Sequence, residues 1–282
     1  MRIATTDLDS LGYIVAYQQF TTLDNKGDEE KVKTHVRDFY YSILQAVEAT
    51  HHCSFYQCKG HNNFRKDLYP NYKAHRGETP EFYTHWIPTI TEVFEEIGAI
   101  PLKIIESDDA LSILRHRYPN EELIFCHNDK DMFQIWGSHY KFGKNPQFLE
   151  ITKKEALFNL YTQVLTGDYS TDNILGCGIL VEKIWKSGPK KGETYYARQG
   201  VGPKEAIKLL EKVPTEELQH AAINIFKEHG LDYFAEEAMI KLLDNEQTYE
   251  EFEVEFLENK NLLTVGNLFE SSKDAIDSLF DD

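Results

Sequence analysis

Long apolar runs are missing from this sequence of 282 residues. No stretch approaches the roughly 18–20 apolar residues that a membrane-spanning helix needs, and the N-terminus lacks the pattern of a secretory signal peptide. The sequence also contains no internal repeat and no long segment of low complexity. We therefore expect a cytoplasmic protein that makes no contact with a membrane.

Cysteine is scarce, and its placement excludes two further classes of protein. The four cysteines are scattered, and none of their spacings is typical of a zinc site or of a disulfide framework. They are Cys53, Cys58, Cys126 and Cys177. The sequence thus predicts a protein of a reducing compartment with an ordinary apolar core, for which its 41% of apolar residues suffice.

Positive charge is also in deficit, because the formal net charge is −17. Taken alone, that value argues against a nucleic acid as partner. The charge is unevenly distributed, however: residues 214–282 contain 18 acids and 4 bases, and so carry −14 of the total. Residues 183–212 contain eight lysines and arginines against three acids. Since local patches decide phosphate binding, a nucleic acid remains a candidate partner.

What the sequence does have is an alternation of short β-prone runs with helical patterns, which predicts a parallel sheet. The predicted strands are 2–6, 53–57, 102–105, 123–126 and 148–152, and the predicted helices are 13–20, 36–48, 82–97, 108–117, 154–166 and 204–258. We expect an α/β fold with a central, mainly parallel sheet and helices on both faces. The chain exceeds the usual size of a single core, so an appended lobe is expected.

The densest group of acids lies in the stretch Lys103–Leu114, where a predicted strand ends and a helix begins. Glu106, Asp108 and Asp109 fall within four positions, and Ser107 is a candidate N-cap. A helix N-terminus stabilises a carboxylate by only about 0.3–1 kcal/mol, so it cannot offset three adjacent charges in a cleft. A hard divalent cation can. An acidic first turn with one capping residue is the alternative interpretation.

Acids recur where other predicted elements end. They are Asp7, Asp129, Asp131, Asp168 and Asp172, which with the first three make eight carboxylates. Parallel strands bring their carboxyl ends to one edge of the sheet, so these segments are expected to converge. Carboxylates without histidine or cysteine suit Mg²⁺ or Mn²⁺, and two such ions about 3.5–4 Å apart are the usual device for cleaving a phosphodiester. Capping of a turn explains any one of these residues but not the whole series.

These residues belong to an ordered set of motifs. In chain order, the motifs are Asp7-Leu8-Asp9, Phe64-Arg65, Tyr72-Lys73-Ala74-His75-Arg76, Glu106-Ser107-Asp108-Asp109, Asp129-Lys130-Asp131, Gly167-Asp168, Asp172-Asn173 and Gly200-Val201-Gly202-Pro203-Lys204. With them, residues 1–210 resemble the 5′-nucleases of the flap-endonuclease superfamily, most like the 5′→3′ exonucleases of tailed bacteriophages. The resemblance implies a helical arch at 59–86 and a helix–three-turn–helix DNA-binding element beside the sheet.

The resemblance also implies a role for each residue of the motifs. Implied metal ligands are Asp7, Glu106, Asp108 and Asp109 for a first ion, with Asp129, Asp131, Asp168 and Asp172 toward a second. Implied catalytic residues are Asp108, Asp131 and two cations that contact the scissile phosphate, Lys73 and Arg76. Implied DNA contacts are Arg65, Lys66, Tyr72, Lys73, Arg76, Gly200, Gly202 and Lys204. The last two acids stand four positions apart where the family usually has three, so their loop is expected to be one residue wider.

The motifs divide the chain into three expected regions. A catalytic core spans 1–166, and a DNA-binding region spans 167–213. An apparent insertion at 179–199, rich in lysine and aromatic residues, predicts a basic β-hairpin or loop that enlarges the duplex contact, and a disordered loop is the alternative. An acidic helical region with a tail occupies 214–282. Its last residues, 277–282, resemble the peptides by which phage replication proteins dock on a sliding clamp, and an acidic solvated tail is the alternative.

The function implied by the resemblance is hydrolysis of DNA by a divalent-metal-dependent 5′→3′ exonuclease or structure-specific flap endonuclease. Its two-metal mechanism would use Mg²⁺, with Mn²⁺ as a substitute, and would leave 5′-phosphate and 3′-hydroxyl ends. Implied partners are DNA with 5′ ends or flaps, RNA–DNA hybrids, a sliding clamp or other replication protein, and K⁺ at the glycine turn. A phage-encoded protein would act in the host cytoplasm. Two alternatives stay open: a PIN-type ribonuclease, which would not need the glycine turn, and a nucleic-acid-binding scaffold of little activity.

One position departs from the family pattern. An aspartate usually stands six residues before the phenylalanine of Phe64-Arg65, and here that place holds Cys58. A thiol is a poor ligand for Mg²⁺, so the sequence predicts a site one carboxylate short, with weaker Mg²⁺ binding and better support by Mn²⁺. The alternative is that Cys58 packs as a small apolar residue.

Overall fold

The computed structural model of the protein describes residues 1–22, 28–58, 63–74, 76–244 and 263–264, of which 19–22 and 263–264 by their backbone alone. The chain forms two compact units. The first contains the described residues of Met1–Asn63, Glu78–Ile151 and Leu242–Asp282, and the second contains those of Phe64–Gly77 and Thr152–Lys241. Both units are therefore built from discontinuous segments.

The first unit is organised on a mixed sheet. In chain order, its main strands are β1 (Arg2–Asp7), β2 (His51–Gln57), β3 (Ile100–Leu102), β4 (Glu122–His127), β5 (Gly137–Lys141) and β6 (Gln147–Ile151). They lie in the order β3-β2-β1-β4-β5-β6, and all neighbours are parallel except β5 and β6. The short strand Leu263–Thr264 pairs antiparallel with β2. The predicted α/β fold with a mainly parallel sheet is thus confirmed.

Helices follow most of the strands, as the alternating pattern predicts. In chain order, the α-helices are α1 (Leu8–Thr22), α2 (Glu29–Ala46), α3 (Phe64–Leu68), α4 (Glu81–Glu96), α5 (Ser107–Arg117), α6 (Lys153–Thr166), α7 (Tyr169–Asp172), α8 (Pro203–Leu210), α9 (Leu218–Glu228) and α10 (Tyr233–Ile240). Two short 3-10 helices are Asp131–Gln134 and Thr215–Glu217. Within the described ranges, no helix is long and apolar enough to cross a membrane.

Apolar residues at helical spacing explain the core of the first unit. Val32, Val36 and Tyr40 recur on one face of α2 and are buried, and Ile90 and Phe94 do the same on α4. These faces belong to a single apolar cluster with residues of β1 and β4. Burial of apolar surface contributes about 25 cal/mol per Å², so this cluster stabilises the unit.

In its described residues, the second unit consists of helices, an antiparallel hairpin and one isolated β-bridge between Asp168 and Ile174. The strands of the hairpin are β7 (Gly178–Ile184) and β8 (Thr194–Gly200). The residues of the expected insertion, 179–199, therefore form the predicted β-hairpin. Helices α6 and α9 enclose a separate apolar core that includes Leu160, Val164 and Phe226.

The start of α5 differs from the expectation in two respects. The strand predicted at 102–105 is instead β3, which pairs over only three residues because the chain then turns away from the sheet. Ser107 is not the N-cap. Glu106 holds that position, and its backbone N–H donates to the Asp109 carboxylate at 3.2 Å. The Ser107 hydroxyl donates to Asp9 instead.

The helix predicted over 204–258 is interrupted in its described part. Helices α8, α9 and α10 are separated at Pro214, which cannot continue a helix, and at Gly230, whose φ of 67° is left-handed. Residues 245–258 lie outside the described residues. Strand β5 was not predicted, because its sequence of glycine, serine, histidine, tyrosine and lysine lacks the apolar alternation of a strand.

Gly200 closes the base of the hairpin against neighbouring backbone. A Cβ at Gly200 would overlap the Cys177 carbonyl oxygen and the Gly178 Cα, neither of which can swing away as a side chain can. Gly200→Ala should therefore lower the free energy of unfolding by about 1–3 kcal/mol, as overpacking does elsewhere. Urea denaturation measures this value. Gly77→Ala is the matched control in the same unit, because a Cβ there meets nothing within 4 Å. An equal loss in both variants would contradict the overlap.

Candidate active site

Two aspartates stand where β1 runs into α1. Asp7 is the last residue of β1, and Asp9 lies in the first turn of α1. The Asp7 carboxylate accepts hydrogen bonds from Asp9 N (3.1 Å) and Ser10 Oγ (2.5 Å). The Asp9 carboxylate accepts from Gln57 N at 3.1 Å and from Ser107 Oγ. Both carboxylates are thereby fixed at the carboxyl edge of the parallel strands.

The negative charges of these acids repel one another, which disfavours their ionised forms. Burial raises the pKa of Asp7 above its ordinary value against the lowering effect of the Ser10 hydrogen bond, and the charge of Asp129 raises it further. The pKa of Asp9 is raised to about 7, first by burial and then by the charges of Asp7 and Glu106. Carboxylates from separate segments of the chain therefore converge at this edge. Such convergence destabilises their ionised forms unless a cation offsets the repulsion.

The first turn of α5 brings together the densest group of acids in the sequence. Glu106, Asp108 and Asp109 each offer a carboxylate oxygen, and these oxygens all lie within 4.8 Å of one another. Asp109 is fully buried and also accepts from Leu243 N at 3.1 Å. The other two carboxylates are half-buried and so stay accessible to a ligand from solvent.

Asp129 and Asp131 lie in the turn that follows β4. Asp131 N donates to Asp129 Oδ1 at 2.9 Å, and Lys130 Nζ forms an ion pair of 2.9 Å with Asp131 Oδ1. At the end of β4, the buried His127 ring shares a hydrogen bond of 3.0 Å with His139 of β5. This pair of rings packs the base of the turn that carries the two acids.

The donor chemistry of the first unit fits a hard divalent cation. The donors of the group on α5 are carboxylate oxygens, which Mg²⁺ and Mn²⁺ prefer, whereas zinc sites are usually built with histidine or cysteine. Asp7, Glu106, Asp108 and Asp109 are the residues that would hold such an ion. Its charge would also offset the repulsion that raises the pKa of Asp7 and of Asp9.

Within the second unit, Asp168 and Asp172 frame α7. Asp168 caps this helix by accepting from Thr171 N at 3.1 Å, and a carboxylate oxygen of each aspartate lies within 4.8 Å of one of the other. Asp172 Oδ1 forms an ion pair of 2.5 Å with Arg76 Nη2, and the Asp172 carbonyl oxygen accepts from Lys73 N at 2.9 Å. One predicted metal ligand thus positions both predicted catalytic cations.

Lys73 has an uncommon backbone conformation. Its φ is 58°, a left-handed value that residues with a side chain seldom adopt. Its Nζ lies 4.7 Å from the centroid of the Tyr72 ring, and the Tyr72 hydroxyl donates to Asp172 Oδ2 at 3.4 Å. Tyr72 is only 3% exposed, so the predicted stacking on a base would require the ring to leave this position. Strained backbone of this kind is concentrated at functional sites.

The remaining predicted DNA contacts fall into two groups. Lys66 and Lys204 are exposed, and Gly202 is the N-cap of α8. Arg65, in contrast, is buried, and its Nε donates to the Met239 carbonyl oxygen at 3.0 Å. In this structure Arg65 therefore joins α3 to the end of α10, and its contact with DNA stays a prediction.

Two residues to which sequence reasoning assigned no ligand role belong to the acidic group. Asp9 places its carboxylate beside Asp7 and Glu106, and Ser107 supplies a hydroxyl donor to Asp9. The sequence signal for Asp9 was its place beside Asp7 in the motif Asp7-Leu8-Asp9. Nothing in the sequence indicates the role of Ser107, because its hydrogen bond to Asp9 joins residues 98 positions apart.

Comparison with known families identifies the family of this chain. A family model described as "5'-3' exonuclease, N-terminal resolvase-like domain" matches residues 8–162, which is more than half of the chain. The chain belongs to the 5′-3′ exonuclease family. The matched segment includes the acids that follow β4 and those of α5, and it ends within α6.

Curated relatives of this family member include a 5'-3' exonuclease and several DNA polymerases I. A 5'-3' exonuclease of Halalkalibacterium halodurans is 27% identical over 206 residues, which cover 67% of this chain and 61% of that protein. A DNA polymerase I of Lactococcus lactis is 27% identical over 138 residues, which cover 44% of this chain and 16% of that polymerase. The chain thus spans only part of the length of each relative.

Solved structures share the fold at low sequence identity. The 5'-exonuclease of T5 with bound divalent metal ions (zinc) aligns with a TM-score of 0.60 and 13% identity, covering 86% of this chain and 90% of that one. A flap endonuclease of bacteriophage T5 in a complex with DNA and metal ions aligns with a TM-score of 0.57 and 13% identity, covering 86% and 89%. These similarities confirm the fold of the 5′-exonuclease family for this chain.

The buried pair His127 and His139 gives folding a dependence on pH. Burial lowers the pKa of His127 to about 3 and that of His139 to about 4. An unfolded histidine titrates near pH 6.5, so between about 6.5 and 4 the unfolded chain binds protons that the folded protein does not. These rings therefore make the folded state less stable as the pH falls through that range.

Substitution of His139 by glutamine should weaken this dependence. Glutamine keeps a donor for the Ile135 carbonyl oxygen, which His139 Nε2 contacts at 2.9 Å, but cannot take up the proton. The free energy of unfolding of His139→Gln should fall less steeply with acidification, by at most about 1.4 kcal/mol per pH unit. Urea titrations at several pH values measure the slope. His229→Gln, which removes one histidine at an exposed position, is the control, and equal slopes in all three proteins would contradict the prediction.

Cys58 directly follows β2, and both interpretations of this residue are consistent with its position. It lines a cavity of about 340 Å³ together with Asp9, and it also packs against the apolar core of the first unit. If it occupies a ligand position, Cys58→Asp should lower the Mg²⁺ dissociation constant, because a carboxylate replaces a poor ligand. For the wild type, we expect Mn²⁺ to support activity at lower concentration than Mg²⁺.

Calorimetric titration with Mg²⁺ measures this dissociation constant directly. Cys58→Ser is the matched control, because it removes the thiol without adding a charge. Tighter Mg²⁺ binding by the aspartate variant alone is the expected outcome. Unchanged or weaker binding by that variant would show that Cys58 does not stand in a ligand position.

Proposed function

We propose that this protein is a divalent-metal-dependent 5′→3′ exonuclease and structure-specific flap endonuclease that hydrolyses DNA. The observation that carries the proposal is the group of carboxylate oxygens on Glu106, Asp108 and Asp109, which lie within 4.8 Å of one another. Asp7 and Asp9 lie at the adjoining strand end, where the charge of Glu106 contributes to the raised pKa of Asp9. Membership of the 5′-3′ exonuclease family supports the class of reaction.

The proposed role of these carboxylates is to bind metal ions at a fixed position at the edge of the sheet. Two Mg²⁺ ions, when bound, would activate a water molecule and stabilise the departing 3′ oxygen. The carboxylates of Asp9 and Asp109 are oriented by backbone N–H donors, Gln57 N and Leu243 N. That pre-orientation limits the reorganisation that ion binding requires. The ligands proposed for the second ion are Asp129, Asp131, Asp168 and Asp172.

Lys73 and Arg76 are the proposed contacts of the scissile phosphate. Their positive charges would offset the negative charge that develops as the phosphodiester is cleaved. Arg76 pairs with Asp172 in this structure, so it would exchange that carboxylate for the phosphate. The exchange would leave the Asp172 carboxylate to a metal ion. Substrate binding and ion binding would then favour one another in the second unit.

The proposed substrates are DNA with 5′ ends or 5′ flaps, and RNA–DNA hybrids are a further proposed class. The products would carry 5′-phosphate and 3′-hydroxyl ends. Gly202 and Lys204 at the start of α8 would bind duplex phosphates, because a helix N-terminus favours anions, and K⁺ is proposed at the turn between Gly200 and Gly202. A replication protein such as a sliding clamp is proposed for 277–282, which lie outside the described residues. The proposed location is the cytoplasm, that of the host for a phage protein.

Removal of a single proposed ligand tests the reaction. Asp108→Ala and Asp131→Ala should each lower the rate of cleavage of a 5′-flap duplex in Mg²⁺ by about 10²-fold or more, since metal stabilisation contributes several kcal/mol. Binding of the same DNA in EDTA should stay measurable, because neither variant removes a basic residue. Asp38→Ala is the matched control, with the same change in charge at an exposed position of α2.

Turnover at the wild-type rate by either ligand variant would contradict the two-metal assignment. The substrates of the assay separate the alternatives. Cleavage of single-stranded RNA in preference to flap or nicked DNA would indicate a ribonuclease. Binding without cleavage of any of these substrates, in Mg²⁺ or in Mn²⁺, would indicate a scaffold.

A further inference from the structure

The β7–β8 hairpin is an exposed two-stranded ribbon within the second unit. Its ladder runs without interruption from the pair Gly178 and Gly200 to the pair Ile184 and Thr194. Large apolar side chains are nevertheless exposed along it, namely Ile179, Leu180, Ile184, Trp185 and Tyr196. A two-stranded ribbon is at best marginally stable alone, and a grouped exposure of this kind marks an interaction surface.

The base of the ribbon is held firmly by Arg198. Its Nε donates to the Leu175 carbonyl oxygen at 2.6 Å, and its Nη2 donates to the Val201 carbonyl oxygen at 2.8 Å. Gly200, the last residue of β8, leads through Val201 into the N-cap of α8. The ribbon and the start of α8 are therefore connected through one short, hydrogen-bonded segment.

The tip of the ribbon is closed by aromatic and backbone contacts. The rings of Trp185 and Tyr195 stack with their centroids 4.5 Å apart and an interplanar angle of 26°. Trp185 N donates to the Glu193 carbonyl oxygen at 3.0 Å, and Gly192 N donates to the Trp185 carbonyl oxygen at 2.9 Å. The residues between these contacts are therefore presented by a defined turn.

That turn concentrates positive charge in an acidic protein. Lys186, Lys190 and Lys191 lie at the tip and are exposed, and Lys183 is exposed on β7. Across 183–191 the sequence has four lysines and no acid, whereas the whole chain has a net charge of −17. Segregation of this kind fits a polyanionic partner, since positive patches attract phosphates even on a protein of negative net charge.

We propose that the ribbon is a second contact for the double-stranded part of the substrate, with the lysines of its tip on duplex phosphates. The inference rests on the proposed function. A two-stranded β-ribbon has the width that the major groove of DNA admits. Lysines at its tip would contact phosphates, which contribute affinity without selecting a sequence. Because the ribbon leads directly into the start of α8, both elements would follow the same duplex.

A variant with alanine at the three tip lysines tests the proposal. The variant is Lys186→Ala/Lys190→Ala/Lys191→Ala, and the charge-matched control replaces three lysines of the first unit, Lys31, Lys141 and Lys144. Fluorescence anisotropy in EDTA measures the affinity for labelled short duplexes, long duplexes and single strands. Each phosphate contact adds about 0.9 to the slope of log affinity against log salt, so the tip variant should lose about 2–3 from that slope on long duplexes.

The comparison between DNA forms decides the assignment. We expect the tip variant to lose about tenfold or more in affinity for a long duplex, less for a short one, and little for a single strand. The control should bind like the wild type, and circular dichroism should show that both variants are folded. An unchanged slope on the long duplex, or an equal loss on single strands, would overturn the proposal.

The proposed function and this inference can fail separately. Duplex binding is measured in EDTA and does not depend on cleavage. A wild type that binds the long duplex through the tip lysines but cleaves no substrate in Mg²⁺ would refute the nuclease and retain the ribbon contact. A wild type that cleaves flap DNA while the tip variant binds every duplex normally would refute the ribbon contact alone.

Discussion

Carboxylates that repel one another are held together at the end of β1, and this repulsion is the constraint around which the first unit is built. Asp7 is the last residue of the buried strand β1. The Asp9 carboxylate accepts a hydrogen bond from the N–H of Gln57 in β2, and the Asp109 carboxylate accepts one from the N–H of Leu243. A pKa of about 7 for Asp9 means that its ionised form destabilises the folded protein near neutral pH. The apolar core that includes α2 and α4 offsets that cost. The proposed cation, when bound, would reverse it, so metal binding would be linked to folding stability.

In the second unit, the acid Asp172 is paired with a cation, whereas the acids of the first unit are grouped with one another. Asp172 accepts the Arg76 guanidinium through its side chain and the Lys73 N–H through its backbone. The left-handed backbone at Lys73 is sustained by that hydrogen bond and by the buried Tyr72 beside it. Both cations are therefore pre-arranged by an internal acid, and in the proposed function a substrate phosphate would compete with that acid.

Much of this arrangement could be predicted because it depends on local sequence. Acids at or just after the end of a strand, such as Asp7 in β1 and Asp129 after β4, are visible as patterns, and parallel strands bring such ends to one edge. The contact of Ser107 with Asp9 could not be predicted, since it joins distant segments whose relative position only the folded sheet defines. Arg65 shows the same limit. Its sequence neighbourhood is typical of a DNA contact, yet burial and the carbonyl at the end of α10 decide where its guanidinium lies.

The chain passes between the two units four times, at 63–64, 77–78, 151–152 and 241–242. The last passage returns Leu243 to the first unit, where its N–H supports a buried carboxylate of the acidic group. No single cut in the gene can therefore release either unit whole. Exchange of one unit between relatives would need four coordinated crossovers, one at each of these passages. A C-terminus shortened to remove Leu243 would alter the acidic group from a distance of more than a hundred residues in sequence. Recombination should consequently transmit the two units together, as one inherited module.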